Sequence, residues 1–134
     1  MWPFNKFKKT PPTDVTCGDM TARYNTNLEC WVFEFRGIDF QINGVPFNEA
    51  AFGWAREAAS IIHVLRAEID SKVQGCLEDW PCDKSKAEIL HVDLGDYAET
   101  KTITLAFTGD DSWGDFGVDV TITDGKIVAA DGGD

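Results

Sequence analysis

The segment from residue 109 to residue 115 holds the densest group of chemically capable side chains in the sequence. It reads Gly109-Asp110-Asp111-Ser112-Trp113-Gly114-Asp115, with three carboxylates, one hydroxyl and one indole. Glycine, aspartate and serine are typical of a turn between two strands, and in such a turn Trp113 would cover the end of the core. The same residues also suit a partner-contacting loop. In that case Trp113 would act as an anchor and the carboxylates would face Arg or Lys.

Catalytic and metal-binding patterns are absent from this segment and from the rest of the sequence. Ser112 is not part of a Gly-x-Ser-x-Gly nucleophile motif. The alternating ligands and closing glutamate of an EF-hand loop are missing as well. The cysteines form no Cys-x-x-Cys pair, and no glycine-rich phosphate loop is found. We therefore expect no metal, no cofactor and no catalytic residue. Only a glycosidase-like pair of carboxylates stays open, because any two of many acids could face one another in a cleft.

The charge balance indicates the kind of partner. The chain has 23 acidic and 12 basic residues, giving a formal charge of -11, and from His91 onward ten acids stand against two lysines. Nucleic-acid binders gain affinity from Lys and Arg that neutralise phosphates, so direct nucleic-acid binding is not expected. A basic protein is the expected partner.

The middle of the sequence predicts a hairpin followed by a long helix. Between Cys30 and Ile42, large apolar residues alternate with polar or smaller ones on both sides of Arg36-Gly37, as in a β-hairpin with one apolar face. From Asn48, a plausible N-cap, to Gln74, apolar residues and alanines recur every three or four positions, with Gly75 as the expected stop. His63 falls on the polar face of this helix.

The last third predicts a β-meander. Strands with period-two alternation are expected around Leu90–Leu94, Ile103–Phe107 and Phe116–Ile122, and Asp124-Gly125 predicts a tight turn into a fourth strand, Lys126–Ala130. His91, Asp93 and Asp119 fall on the outward sides of these strands. We predict an α+β fold in which one long helix packs on an antiparallel sheet made of the N-terminal hairpin and the C-terminal meander.

A length of 134 residues is typical of one domain. Residues 1–14, with three lysines and Pro11-Pro12, are interpreted as a basic N-terminal arm, and residues 15–134 as the domain. No stretch is long and apolar enough for a transmembrane segment or a secretory signal, so a cytoplasmic location is expected. The four cysteines are expected to be reduced. The oligomeric state is not predicted.

The last third also resembles a known class of proteins. The run Trp113-Gly114-Asp115-Phe116-Gly117-Val118 entering a strand, the Asp124-Gly125 turn and the final strand are similar to small acidic bacterial immunity-type proteins and related uncharacterised families. The resemblance implies a cytoplasmic antidote that binds and blocks a toxin domain. The resemblance implies no catalytic residue.

Together these observations favour a non-catalytic protein-binding domain. The predicted contact residues are Asp110, Asp111, Trp113 and Asp115 in the loop, with His91, Asp93 and Asp119 on the outward sheet face. The alternative is a small-ligand-binding or enzymatic α+β domain with a pocket between helix and sheet. A second alternative is an assembly role in which the basic arm tethers the domain.

Overall fold

The computed structural model describes residues 12–133, so most of the predicted basic arm lies outside the described residues. Four strands come first: β1 (Val15–Cys17), β2 (Met20–Asn25), β3 (Cys30–Phe35) and β4 (Ile38–Asn43). A long helix, α1 (Ala50–Cys76), follows. The rest of the chain forms β5 (Glu88–Asp93), a short helix α2 (Tyr97–Thr100), β6 (Thr102–Thr108), β7 (Gly117–Thr123) and β8 (Lys126–Gly133).

The eight strands of the described residues form one sheet in sequence order, from β1 at one edge to β8 at the other. Every neighbouring pair is antiparallel except β4 and β5, which are parallel, with Phe40 beside Val92. Parallel neighbours need a long crossover connection, and α1 supplies it. The fold is therefore α+β, with one long helix on a mostly antiparallel sheet.

The N-terminal part is larger than the predicted hairpin. The expected hairpin is present as β3 and β4, where Phe33 pairs with Phe40. It is preceded by β1 and β2, so that a four-stranded meander stands where only two strands were predicted. Met20 and Ala22 of β2 are fully buried, which explains why these strands join the sheet. With only two buried residues, β2 has too short an alternating pattern to be recognised in the sequence.

Helix α1 packs its apolar stripe on one face of the sheet. Its buried residues are alanines at the points of close approach and larger side chains between them: Ala51, Phe52, Ala55, Ala58, Ala59, Ile62, Ile69 and Val73. The helix crosses the sheet and contacts both β3–β4 and β7–β8. It starts slightly later than predicted, although the Asn48 side chain still accepts a hydrogen bond from the Ala50 N–H at 3.0 Å. Gly75 lies inside the last turn of the helix instead of stopping it.

An irregularity in the C-terminal meander moves an apolar residue to the surface. The register shifts between Ile89 and His91, and Leu90, which strict alternation with the outward His91 would turn toward the core, is 56% exposed. A β-bulge inserts an extra residue and breaks the alternation, which explains the difference. A second shift lies beside Thr121, but Val128 is exposed there as alternation from Ile127 predicts. The Asp124-Gly125 turn has positive φ at both residues, as its sequence predicts.

None of the helices within residues 12–133 combines the length and apolar character needed to cross a bilayer.

Candidate functional site

The two faces of the sheet differ because α1 covers only one of them. On the opposite face, which we call the outer face, the strand side chains that point away from α1 are mostly exposed or half-exposed. Within residues 12–133 no element covers the outer face, so the eight-stranded sheet offers a broad surface at fixed spacing. A macromolecular partner fits such a surface better than a small ligand does.

A line of acidic residues crosses this outer face. Glu34 of β3 pairs with Asp39 of β4, and the parallel register of β4 and β5 places His91 beside Asp39. On the other side, His91 pairs with Ala106 of β6, which pairs with Asp119 of β7, which pairs with Asp131 of β8. We call this line the acidic row: Glu34, Asp39, His91, Ala106, Asp119 and Asp131. Its four carboxylates are all exposed.

Charge is distributed unequally between the two sides of the molecule. Among the described strand residues on the outer face, six are acidic, namely the four carboxylates of the acidic row, Glu88 and Asp93, and two are basic, Arg23 and Lys126. Helix α1, on the opposite side, carries three acidic and three basic residues. The excess negative charge of the regular elements therefore lies on the uncovered face of the sheet.

Three of the predicted site residues lie together on this face. His91 and Asp119 belong to the acidic row and are separated by Ala106 alone. Asp93 stands two positions further along β5, where it pairs with Thr104. Its Oδ1 atom accepts a hydrogen bond from the Gly95 N–H at 2.8 Å, so this carboxylate also stabilises the turn after β5.

The loop between β6 and β7 meets the same face at one end. Asp115 lines a shallow depression of about 370 Å³ together with Asp119 and Asp131. The predicted loop and the predicted sheet face are thus continuous through Asp115. Asp111 is exposed in the same loop, and its side chain makes no hydrogen bond with any described residue.

Asp110 is exposed but engaged in holding the loop. Its Oδ1 atom accepts hydrogen bonds from the backbone N–H and the hydroxyl of Ser112, which closes a short 3₁₀ turn. The segment Asp83-Lys84-Ser85 forms the same arrangement, with Asp83 Oδ1 accepting from Ser85. The two turns are joined, because Ser112 Oγ accepts a hydrogen bond from the Asp83 N–H at 2.8 Å.

Trp113 does not lie where a partner could reach it. Its side chain is 0% exposed, and its indole Nε1–H donates to the Asp83 carbonyl oxygen at 2.9 Å. The interpretation of Trp113 as a contact anchor is therefore corrected. Covering the end of the core, the other interpretation of this residue, agrees with the observed position.

Glu34, Asp39 and Asp131, which complete the acidic row, are not among the site residues predicted from the sequence. The alternating pattern of the hairpin contains nothing to show that Glu34 and Asp39 lie beside the meander. That information comes from the β4–β5 pairing. Asp131 falls beyond the predicted end of the fourth strand, whereas β8 extends to Gly133.

The cysteines near these surfaces are not activated as nucleophiles. Burial raises the pKa of the Cys30 thiol, and the nearby Asp93 carboxylate raises it further. Burial followed by the Asp131 carboxylate raises the pKa of Cys76 in the same direction. A raised pKa keeps a thiol protonated at neutral pH, which is the opposite of what thiolate catalysis requires.

Comparison of the chain with protein-family models, with curated protein sequences and with solved structures found no match.

Proposed function

We propose that this protein is a non-catalytic binding domain that holds a basic protein against the outer face of its sheet. The observation that carries the proposal is the acidic row on an uncovered face, opposite a helix whose charges balance. A surface of one sign attracts a partner of the opposite sign over distances of several ångströms and speeds their encounter.

The arrangement of the carboxylates supports a functional role for them. Glu34 faces Asp39 directly across β3 and β4, and Asp119 faces Asp131 across β7 and β8. Like charges directly opposite one another destabilise a sheet. Two such pairs in the acidic row lower the stability of the folded protein. A cationic partner lying across the row would reduce both repulsions.

The class of binder that fits best is an immunity protein that neutralises a toxin domain. The similarity of the last third to small acidic bacterial immunity-type proteins supports this class, and so does the net charge. Toxins that attack nucleic acid need basic clefts, and an acidic antidote can fill such a cleft. A cytoplasmic location and a basic partner are part of the same proposal.

The first experiment compares three immobilised chains as baits in lysate from the native cell. The baits are the wild type, the row variant D39N/D119N/D131N and the control variant E68Q/D79N/E99Q. All six carboxylates are exposed, and none makes a side-chain hydrogen bond with a described residue. Both variants lose three negative charges, but only the row variant loses them from the outer face. Bound proteins are identified by mass spectrometry at low and at high salt.

We expect a basic protein that the wild type and the control variant retain and the row variant loses. Its association should also slow as salt is added. Equal capture by both variants would show that net charge, and not the outer face, attracts the protein. Co-expression with the captured protein then tests the toxin assignment: the wild-type chain should restore growth, and a partner that does not impair growth would refute the immunity role while leaving the binding role intact.

A further inference from the structure

A cleft lies on the opposite side of the sheet from the acidic row, where α1 passes the β3–β4 turn and the start of β5. Its volume is about 610 Å³, within the range of small-molecule sites. The floor is apolar: Ala59 and Ile62 of α1 are buried, and Ile38 and Ile89 line its sides. A ligand in this cleft would therefore bury an apolar body.

The rim of the cleft carries basic side chains. Arg36 from the β3–β4 turn and Arg66 from α1 line it, with the imidazole of His63 on the same helix. Glu88 is the acidic residue in the described lining, and Asp70, just outside it, pairs with Arg66. In a chain with a formal charge of -11, the cleft thus brings two guanidinium groups to one apolar floor.

Both guanidinium groups keep donors available. Arg66 Nε donates to Asp70 Oδ1 at 3.0 Å, while its terminal nitrogens have no hydrogen-bond partner among residues 12–133. Its Cζ atom lies 5.9 Å from the centre of the Phe107 ring. Arg36 makes no hydrogen bond or ion pair within the same residues and lies 5.0 Å from the Phe35 ring centre. Each guanidinium group therefore lies beside an aromatic ring and has N–H donors that no described residue occupies.

The position of Arg36 is conformationally unfavourable. Its φ is 53°, and the next residue, Gly37, has a φ of 76°. Turns of this kind favour Asn-Gly, Asp-Gly or Gly-Gly, because most side chains are strained at positive φ. The turn itself gives no reason for an arginine here. A guanidinium group at the mouth of the cleft does give one.

We propose that this cleft binds a small amphipathic organic anion, with its apolar body on Ile38, Ile62 and Ile89 and its carboxylate between Arg36 and Arg66. Guanidinium groups bind carboxylates through paired, charge-assisted hydrogen bonds. The isoleucines supply the hydrophobic contribution. The site lies on the α1 side of the sheet, so it is independent of the outer face and of the protein partner proposed for it.

Four probes test the ligand class on the full-length protein: octanoate, octanol, octylammonium and inorganic phosphate. Binding is followed by NMR on isotope-labelled isoleucine methyl groups. Ile38, Ile62 and Ile89 report on the cleft, while Ile103 and Ile122 in the core serve as internal references. Arg36→Gln, alone and with Arg66→Gln, removes the proposed anion contacts. Arg23→Gln, on the outer face, is the matched control.

We expect octanoate to shift the three cleft methyl groups saturably, and octanol, octylammonium and phosphate to bind much more weakly. Arg36→Gln should weaken octanoate binding by about tenfold, the cost of losing hydrogen bonds to a charged group, and Arg23→Gln should leave it unchanged. Equal binding of octanol and octanoate would overturn the anion assignment. Shifts confined to other methyl groups would overturn the location. Capture of the basic protein by Arg36→Gln should match the wild type. Loss of octanoate binding can therefore be distinguished from loss of protein binding.

Discussion

The indole Nε1–H of Trp113 donates to the carbonyl oxygen of Asp83 at 2.9 Å, and this bond joins the β6–β7 loop to the segment that precedes β5. The hydrogen bond from the Asp83 N–H to Ser112 Oγ lies beside it, at 2.8 Å. Both polar groups of the Asp83 backbone are therefore bound by consecutive residues of one loop. This contact fixes the loop, and with it the position of Asp115 beside the acidic row.

Replacing Trp113 with phenylalanine should destabilise the protein strongly. The substitution leaves the Asp83 carbonyl without its donor and leaves space around a smaller ring, at a combined cost of about 2–3 kcal/mol. The free energy of unfolding in urea measures the effect. Asp111→Asn is the control, because Asp111 is exposed and its side chain is unbonded, and it should change stability by less than about 0.5 kcal/mol. An unchanged stability of Trp113→Phe would mean that the loop is not held in this way.

Two glycine-to-alanine substitutions should act in opposite directions. A Cβ atom on Gly109 would lie 2.2 Å from Trp113 Nε1, so Gly109→Ala must displace the buried indole. Overpacking of this kind costs about 1–3 kcal/mol. A Cβ atom on Gly53, in α1, meets nothing within 4 Å. Gly53→Ala should stabilise the helix by about 0.5–1 kcal/mol. Thermal unfolding of both variants checks the pair, and a destabilised Gly53→Ala would contradict the open space beside the helix.

The sequence predicted the parts of the fold that depend on local patterns. The stripe from Phe52 to Val73 predicted α1, and Asp124-Gly125 predicted the last turn. The β-bulge that exposes Leu90 could not be predicted, because an inserted residue leaves no mark in an alternating pattern. The placement of Asp39 beside His91 could not be predicted either. It depends on how two sheet halves, separated by the whole of α1, join through non-local pairing.

The stability of the protein should fall at high pH because of Tyr97. Burial, followed by its hydrogen bond to Glu57, raises the pKa of the Tyr97 hydroxyl from 10.0 to about 12. Between these two values the unfolded chain loses this proton and the folded chain keeps it. The contribution is therefore complete below pH 10 and is lost as the pH rises toward 12, with a slope of about 1.4 kcal/mol per pH unit.

Urea unfolding of the wild type and of Tyr97→Phe from pH 9 to pH 11.5 isolates this contribution. Phenylalanine has no proton to lose, so Tyr97→Phe should show a shallower loss of stability over that range. The difference between the two proteins should be constant below pH 9.5 and shrink above pH 10. Parallel curves over the whole range would show that Tyr97 ionises equally easily in the folded and unfolded chains.

Removing the charge of Asp119 or Asp131 should make the protein more stable and the proposed complex weaker. The two carboxylates face each other across β7 and β8 with no cation between them in the acidic row. Asp119→Asn or Asp131→Asn should raise the free energy of unfolding by a few tenths of a kcal/mol, up to about 1 kcal/mol. The gain should shrink near 1 M salt, where charges are screened within about 3 Å.

The same two variants should associate more slowly with the basic partner, by an amount that also shrinks with salt. Glu68→Gln on α1 is the control for both measurements, since it removes one charge from the charge-balanced side of the molecule. Opposite changes in stability and in association from one substitution are expected where charges are retained for binding at a cost to folding. If Asp119→Asn and Asp131→Asn leave association unchanged while stability rises, the acidic row is not the contact surface.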